Sequence, residues 1–358
     1  MKRLLSLDVL RGLTIVGMIV VNSPGSWTHI FAPLSHSDWN GLTPTDLVFP
    51  FFMFIMGVSA CISLRKSGYE CSPGLMVKVV RRTAVLFAIG LALNWFAAGF
   101  CSLHDLRILG VMQRLAICYF FVSAVALSPL RPRMALLAAL LLVAYAVLLA
   151  VGNGFDYGRS NILSRVDFAV LGESHVYNDN GIEPEGILST IPSIAHVMIG
   201  FCVGRICLSS DDVHRKVERI FVVGSVLLFA GYLLSYGCPV NKKVWSPTFV
   251  MSTCGGASLL LALLAWAIDI RGRRRFCTPF VAFGSNPLFC YVAAESLCIA
   301  LMQVRVGGVA LQQLFYDNCL ASVFGDNEFA SLVYALLLAF LIGCAGYALY
   351  RKKIYIKI

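Results

Sequence analysis

What most constrains the fold of this chain is an alternation. Ten apolar runs, each near the length that crosses a bilayer, are joined by short connections, and basic residues crowd every second connection. The runs have approximate cores at 9–26, 45–64, 83–101, 108–128, 134–152, 187–206, 218–236, 246–268, 278–302 and 329–350. Lys2, Arg3 and Arg11 begin the basic set. It continues with Arg65, Lys66, Lys78, Arg81 and Arg82, then Arg131 and Arg133, then Arg205, Arg215, Lys216 and Arg219. Arg271, Arg273, Arg274, Arg275, Arg351, Lys352, Lys353 and Lys357 complete it, 22 of the 29 Lys and Arg residues. The positive-inside rule puts these connections in the cytoplasm. The expected fold class is therefore all-α: a polytopic helical bundle of about ten transmembrane helices, both termini cytoplasmic, forming a single domain over 1–358.

Composition enters as exclusion. Only 13% of residues are charged, about half the roughly 25% a soluble surface carries, so an ordinary soluble enzyme is ruled out. The net charge of +10 reports orientation in the bilayer and calls for no nucleic acid. Lys2 and Arg3 before an apolar run resemble a signal peptide, but no small-residue cleavage pattern follows, so an uncleaved first helix is expected. The 13 cysteines show no metal spacing and fall mostly inside apolar runs. Cys238 and Cys319 lie in outer connections, where a disulfide between them stays open. The outer stretches 23–44, 153–186 and 303–328 are the long ones, and 153–186 reads either as a rim over a site or as a passive loop.

Against this apolar background the polar residues stand out, because ionisable groups inside spans are costly. Asn22 with Ser23-Pro24-Gly25 can end a helix. Thr43-Pro44-Thr45-Asp46 reads as a helix start, Asp46 reaching back as in a capping box, and a chemical role remains open for both Asn22 and Asp46. His36 fills no cap and no apolar face, which makes it a catalytic candidate. Arg107 and Arg114 are seven apart and are expected on one helix face, with Asp46 and Glu295 as candidate partners of the deeper Arg114. Asp8 and Arg11 have the spacing of a helical ion pair, either structural or set to meet a phosphorylated molecule from the cytoplasm. Asn286-Pro287 near the middle of the ninth run frees backbone carbonyls that can line a cavity. Glu183, Glu185, Lys243 and Trp245 supply charge and an aromatic face that would suit a sugar ring, although Trp is also a common interfacial anchor.

Taken together these motifs resemble a known family. Ser6-Leu-Asp8-Val-Leu-Arg11-Gly, Asn22, His36 and Trp39-Asn40-Gly-Leu-Thr-Pro-Thr-Asp46-Leu-Val-Phe-Pro look like heparan-alpha-glucosaminide N-acetyltransferase and its bacterial relatives. The likeness recurs in Arg107-Ile-Leu-Gly-Val-Met-Gln113-Arg114-Leu, Glu183-Pro-Glu185-Gly-Ile-Leu-Ser-Thr, Asn241-Lys-Lys243-Val-Trp245-Ser and Ser285-Asn286-Pro-Leu. The resemblance implies an acyltransferase that moves an acetyl group from cytoplasmic acetyl-CoA to the amine of a terminal glucosamine on the far side of a membrane. It maps the catalytic histidine onto His36 and a nearby asparagine onto Asn22. Asp46 joins them as the group that orients the imidazole. For substrate and donor binding the motifs put forward Asp8, Arg11, Trp39, Asn40, Arg107, Gln113, Arg114, Glu183, Glu185, Lys243, Trp245, Asn286 and Glu295. Expected partners are the lipid bilayer, acetyl-CoA and an amino-sugar acceptor, without a metal. The sequence is compatible with a homodimer. It lacks the luminal N-terminal extension and extra helix of the lysosomal enzyme, so the expected location is a bacterial inner membrane.

The residues themselves support that chemistry. Transfer from a thioester to an amine needs a proton acceptor and a donor to the carbonyl oxygen. A histidine can be base or acetyl carrier, and an asparagine amide can hold an oxyanion. Two other readings remain open: an O-acyltransferase acting on sugar hydroxyls, and a transporter using Arg114, Glu295 and His36 as an ion path.

Overall fold

The computed structural model describes residues 4–177 and 179–356. Lys2, Arg3 and Lys357 of the basic set lie outside the described residues. The chain is almost wholly helical: α1 Leu5–Asn22, α2 Val48–Arg65, α3 Pro73–Ala97, α4 Val111–Ala126, α5 Met134–Val151, α6 Ile162–Leu171, α7 Thr190–Cys207, α8 Val213–Leu234, α9 Pro247–Leu264, α10 Cys277–Ser285, α11 Pro287–Gln303, α12 Leu311–Phe315, α13 Ser322–Phe324 and α14 Glu328–Arg351. One two-stranded hairpin, β1 Arg305–Val306 and β2 Val309–Ala310, follows α11.

Every expected apolar run is helical, but not every one is a full span. Seven helices among the described residues are long and apolar enough to cross a membrane, or eight if the bent pair α10 and α11 counts as one. The expected ten is thus reduced. The 16 residues of α4 reach only about 24 Å at roughly 1.5 Å per residue. α3 is diluted by Lys78, Arg81 and Arg82. The ninth run is broken: α10 and α11 meet at 83° around Asn286, where Pro287 removes a backbone donor. α1 begins and ends about four residues earlier than expected, because Ser23 leaves the helical region ahead of Pro24. Side chains cap two further helices: Ser72 Oγ accepts the Leu75 N–H ahead of Pro73, and Asn327 Oδ1 accepts the Ala330 N–H.

The chain resolves into two compact units. The first comprises residues 1–37, 43–49 and 264–358, the second 38–42 and 50–263. In the first, α1 packs along α10 and also meets α11 and α14. Its close approach to α10 rests on two glycines. A Cβ on Gly12 would lie 1.9 Å from the Phe280 carbonyl oxygen, and one on Gly284 would lie 2.1 Å from that of Asp8. Small residues at such crossings let backbones touch, a principal source of helix association in lipid. Val9, Ile268, Cys277 and Val281 fill the apolar space beside them.

In the second unit α7 is the central element, packed against α4 and α5. The same device recurs between α2 and α7. A Cβ on Gly57 would meet the Val197 carbonyl at 2.2 Å, and one on Gly200 the Phe54 carbonyl at 2.3 Å. α6 closes against α5 through Tyr145, Leu149, Leu163 and Val244. None of the thirteen cysteines, Cys238 and Cys319 included, is in a disulfide.

Candidate active site

The first unit holds the catalytic candidates. His36 lies in the irregular stretch between α1 and α2, and its Nδ1 is 2.7 Å from Asp46 Oδ1. The imidazole side chain is 47% exposed while the carboxylate is completely buried, so a reactive ring stands on a shielded anion. The two oxygens of Asp46 have different partners. Oδ2 accepts the Thr43 N–H at 3.2 Å, the Thr43 hydroxyl at 3.0 Å and the Ser37 N–H at 3.1 Å. Oδ1 faces the histidine. The helix start thus locks the carboxylate that orients the ring.

At the Asn22 end of α1, the asparagine Nδ2 donates to Glu295 Oε1 of α11 at 3.2 Å. Ser23 and Cys298, one turn further along α11, are 3.0 Å apart. At the opposite end, Asp8 and Arg11 make the ion pair their spacing predicts, 3.1 Å, and Arg11 also donates to the Gly284 carbonyl at 3.1 Å. Asn286 sits fully buried in the break after α10. Its Nδ2 donates to the Ile354 carbonyl and its Oδ1 accepts the Ile356 N–H, so it ties the segment after α14 to the bend.

The second unit holds the other candidates. Arg107 is not on the α4 face as expected but in the extended segment before it, since α4 begins only after Gly110. There it donates to both carboxylate oxygens of Glu183 and, at 2.8 Å, to Glu185. Burial raises the Glu183 carboxyl above its usual range, with Arg107 pulling the other way. Burial also works against the Arg107 charge, but the two carboxylates outweigh it and hold its pKa up. Arg114 is buried to 1%. It pairs with neither Asp46 nor Glu295, which serve His36 and Asn22. Instead it donates to Ser189 Oγ and the Gly186 carbonyl and lies 5.0 Å above the Trp245 ring. Both arginines therefore grip the same turn, 183–189, from two directions.

Trp245, expected as an aromatic face for a sugar, is also 1% exposed. Its backbone is left-handed, φ 54°, an unfavourable region for a bulky residue. The surrounding turn imposes it: Trp245 N–H bonds the Lys242 carbonyl, Ser246 N–H the Asn241 carbonyl, and Asn241 Oδ1 takes the Val244 N–H. Gln113 is likewise shut away at 1% exposure. Trp39 and Asn40 are knitted into this unit. The Trp39 indole donates to the Phe155 carbonyl at 2.8 Å and stacks on Tyr157 at 4.6 Å, and Asn241 Nδ2 donates to Asn40 Oδ1 at 3.1 Å. Lys243 bridges Asp179 at 2.7 Å and Tyr157 at 3.2 Å. These partners hold its pKa above the ordinary value although burial opposes the charge.

Sequence reasoning missed Tyr157, Asp179 and Asp167, which sit in none of the quoted motifs, and passed over Ser189 within the 183–190 motif. Asp167 is 1% exposed; its Oδ1 accepts the Ile187 N–H at 2.8 Å, and burial pushes its carboxyl up to about 6. Among the described residues, no group of three or more His, Cys, Asp or Glu is arranged to hold a metal.

The family model described as the catalytic region of heparan-alpha-glucosaminide N-acetyltransferase matches residues 3–236. The chain belongs to this family. Among the relatives of this acetyltransferase family member, the human heparan-alpha-glucosaminide N-acetyltransferase is 28% identical over 417 aligned positions, covering 99% of this chain and 60% of the human protein. The mouse protein of the same name is 28% identical over 356 positions, covering 83% of this chain and 54% of the mouse protein. The chain thus spans somewhat more than half the length of the curated relatives it matches. Its apolar helices fit a multi-pass membrane protein.

Proposed function

We propose that this protein transfers the acetyl group of acetyl-CoA to the amine of a glucosamine-type sugar, with His36 as the proton acceptor. The observation that carries the reading is the half-exposed His36 ring held at 2.7 Å by a fully buried Asp46 carboxylate. With Nδ1–H donating to Asp46, the lone pair sits on Nε2. The amine nitrogen attacks the thioester carbonyl carbon while Nε2 takes its proton. As the tetrahedral intermediate collapses, the C–S bond breaks and the imidazolium returns the proton to the departing thiolate. The products are the sugar acetamide and CoA.

Asn22 has two amide hydrogens, of which one is directed at Glu295. The other suits the developing oxyanion, a contact of a type whose removal costs about 3 kcal/mol in transition-state stabilisation. The opposite end of α1, with Arg11 held by Asp8 and the Gly284 carbonyl, suits the phosphates of a donor arriving from the basic side of the membrane. Arg107, Arg114, Gln113 and Trp245 support the second unit from its interior.

Sealed vesicles test the whole reading. Labelled acetyl-CoA added on the basic side should acetylate glucosamine on the other side, and His36→Ala should abolish transfer. An unaffected rate in the variant removes His36 from the mechanism, and transfer only when both substrates share one side removes the transmembrane route.

A further inference from the structure

The stretch 303–328, assigned no role above, forms one wall of a cleft in the first unit. The cleft encloses about 340 Å³ and is lined by Gly25, Ser26, Met302, Ala310, Gln312, Gln313, Tyr316, Asp317 and Asp326. That is the small end of the size range of small-molecule sites. We infer that this cleft docks the acceptor as a protonated amino sugar of monosaccharide size, an inference that rests on the acetyl-transfer reading.

The chemistry of the walls carries it. Two carboxylates face a cleft whose lining includes no Lys or Arg. His29 approaches Asp326 at 3.4 Å from outside the lining. Two primary amides, Gln312 and Gln313, offer both donors and acceptors, as a ring of hydroxyl groups requires. Tyr316 lies buried beneath the cleft, and its hydroxyl donates to Asp326 Oδ1 at 2.8 Å. Burial and the neighbouring carboxylate push that phenol up to about 12, so it stays a donor.

The walls are also built to stay in place. Gln312 Nε2 donates to the Pro24 carbonyl at 3.2 Å. The Gly25 N–H bonds the Ser331 carbonyl, and Ser26 and Ser331 exchange two further bonds. Gly25 is required there: a Cβ would lie 2.6 Å from the Tyr316 ring. The segment so fixed is the chain between Asn22 and His36.

The charge pattern has a consequence for turnover. The acceptor docks as an ammonium ion, gives up one proton to solvent before the free amine attacks, and leaves as a neutral acetamide. The two carboxylates therefore attract substrate and lose their hold on product, so the cleft favours release after transfer.

Purified protein without acetyl-CoA should bind glucosamine about tenfold or more tightly than N-acetylglucosamine or glucose by saturation-transfer NMR, with the preference shrinking in high salt. Asp317→Asn and Asp326→Asn should each weaken glucosamine binding and raise its KM about threefold to tenfold, more than they change kcat. Where loss of the Tyr316 and His29 contacts unfolds the Asp326 variant, Asp317→Asn carries the test alone. Equal affinity for glucosamine and N-acetylglucosamine, or an unaltered KM in the variants, overturns the inference while leaving acetyl transfer standing. Glucosamine binding as described with no acetyl transfer overturns the proposed function and not the cleft.

Discussion

Replacing Asp46 by asparagine should separate catalysis from folding, because its two oxygens face different partners. Oδ2 accepts from Ser37 N–H, Thr43 N–H and the Thr43 hydroxyl, at 3.0 to 3.2 Å, and Oδ1 faces His36 at 2.7 Å. An amide has one acceptor oxygen and one NH₂ group. If the NH₂ took the Oδ2 place, three donors would confront it. If it took the Oδ1 place, it would face the imidazole. With each hydrogen bond worth about 1 kcal/mol net, the second orientation wins by roughly 2 kcal/mol, and the NH₂ faces Nδ1. The ring then adopts the tautomer with its lone pair on Nδ1 and its hydrogen on Nε2, so Nε2 is no longer a base. Stability should fall by only about 1 to 2 kcal/mol, because the three capping bonds survive. The rate should fall by about 10² to 10⁴, the usual worth of a positioned general base. Initial rates of acetyl transfer to glucosamine, with thermal unfolding of the same detergent-purified samples, measure both quantities. His36→Ala combined with Asp46→Asn should be no slower than His36→Ala alone, since the two act as a unit. An Asp46→Asn enzyme within about threefold of the wild-type rate would refute the tautomer argument. So would a variant whose loss of activity merely tracks loss of folded protein.

Other perturbations probe the frame around the site. The folded Asp167 carboxyl titrates near 6 against an ordinary 3.8. Between those values the unfolded chain ionises first, so stability should fall as pH rises from about 4 to about 6 and then level off. The fall amounts to at most about 3 kcal/mol. Asp167→Asn should remove that fall from the melting-temperature profile, and a wild type that gains stability relative to the variant over this window would contradict the assignment. Arg107→Ala leaves the Glu183 carboxylate buried without its partner and should cost about 3 kcal/mol; a melting temperature unchanged at neutral pH would show that the turn 183–189 does not depend on the pair. Gly12→Ala puts a methyl group 1.9 Å from a backbone oxygen and should destabilise the α1–α10 crossing strongly, seen as loss of monodisperse protein after solubilisation. An alanine variant that melts like the wild type would show that the crossing can open.

What could be read in the sequence was local. Apolar length located α1, α2, α7 and α14 within a few residues, and Pro287 announced a break in the ninth run. Its 83° angle was not legible, because it follows from α10 lying on Gly12, some 270 residues earlier in the chain. Asp46 was read as both a cap and a candidate for chemistry, and His36 ten residues away was close enough in sequence to be judged with it. Arg114 was a different case. Its burial was foreseen from depth along a helix, but its partner Ser189 is separated from it by 75 residues and carries no charge to attract notice. Arg107 was misplaced because helical periodicity was extended through Gly110, where the backbone is still extended. Trp245 was expected either to offer an aromatic face to a sugar ring or to anchor at the interface. The left-handed turn that buries it is set by hydrogen bonds of Asn241 and Ser246, which a hydropathy pattern does not register.

The tight seam between α1 and α10 bears on how the protein is made. α1 leaves the ribosome well before the elements it packs against, α10, α11 and α14, which lie more than 250 residues further along. At about 5 to 20 residues per second, α1 waits many seconds beside lipid or insertion machinery before the backbone it fits is synthesised. The unit that carries His36 therefore closes only after the second unit has been synthesised, although its first helix is made before it. Ribosomes that stop short of α10 would release chains whose second unit is complete and whose His36 region has nothing to close upon.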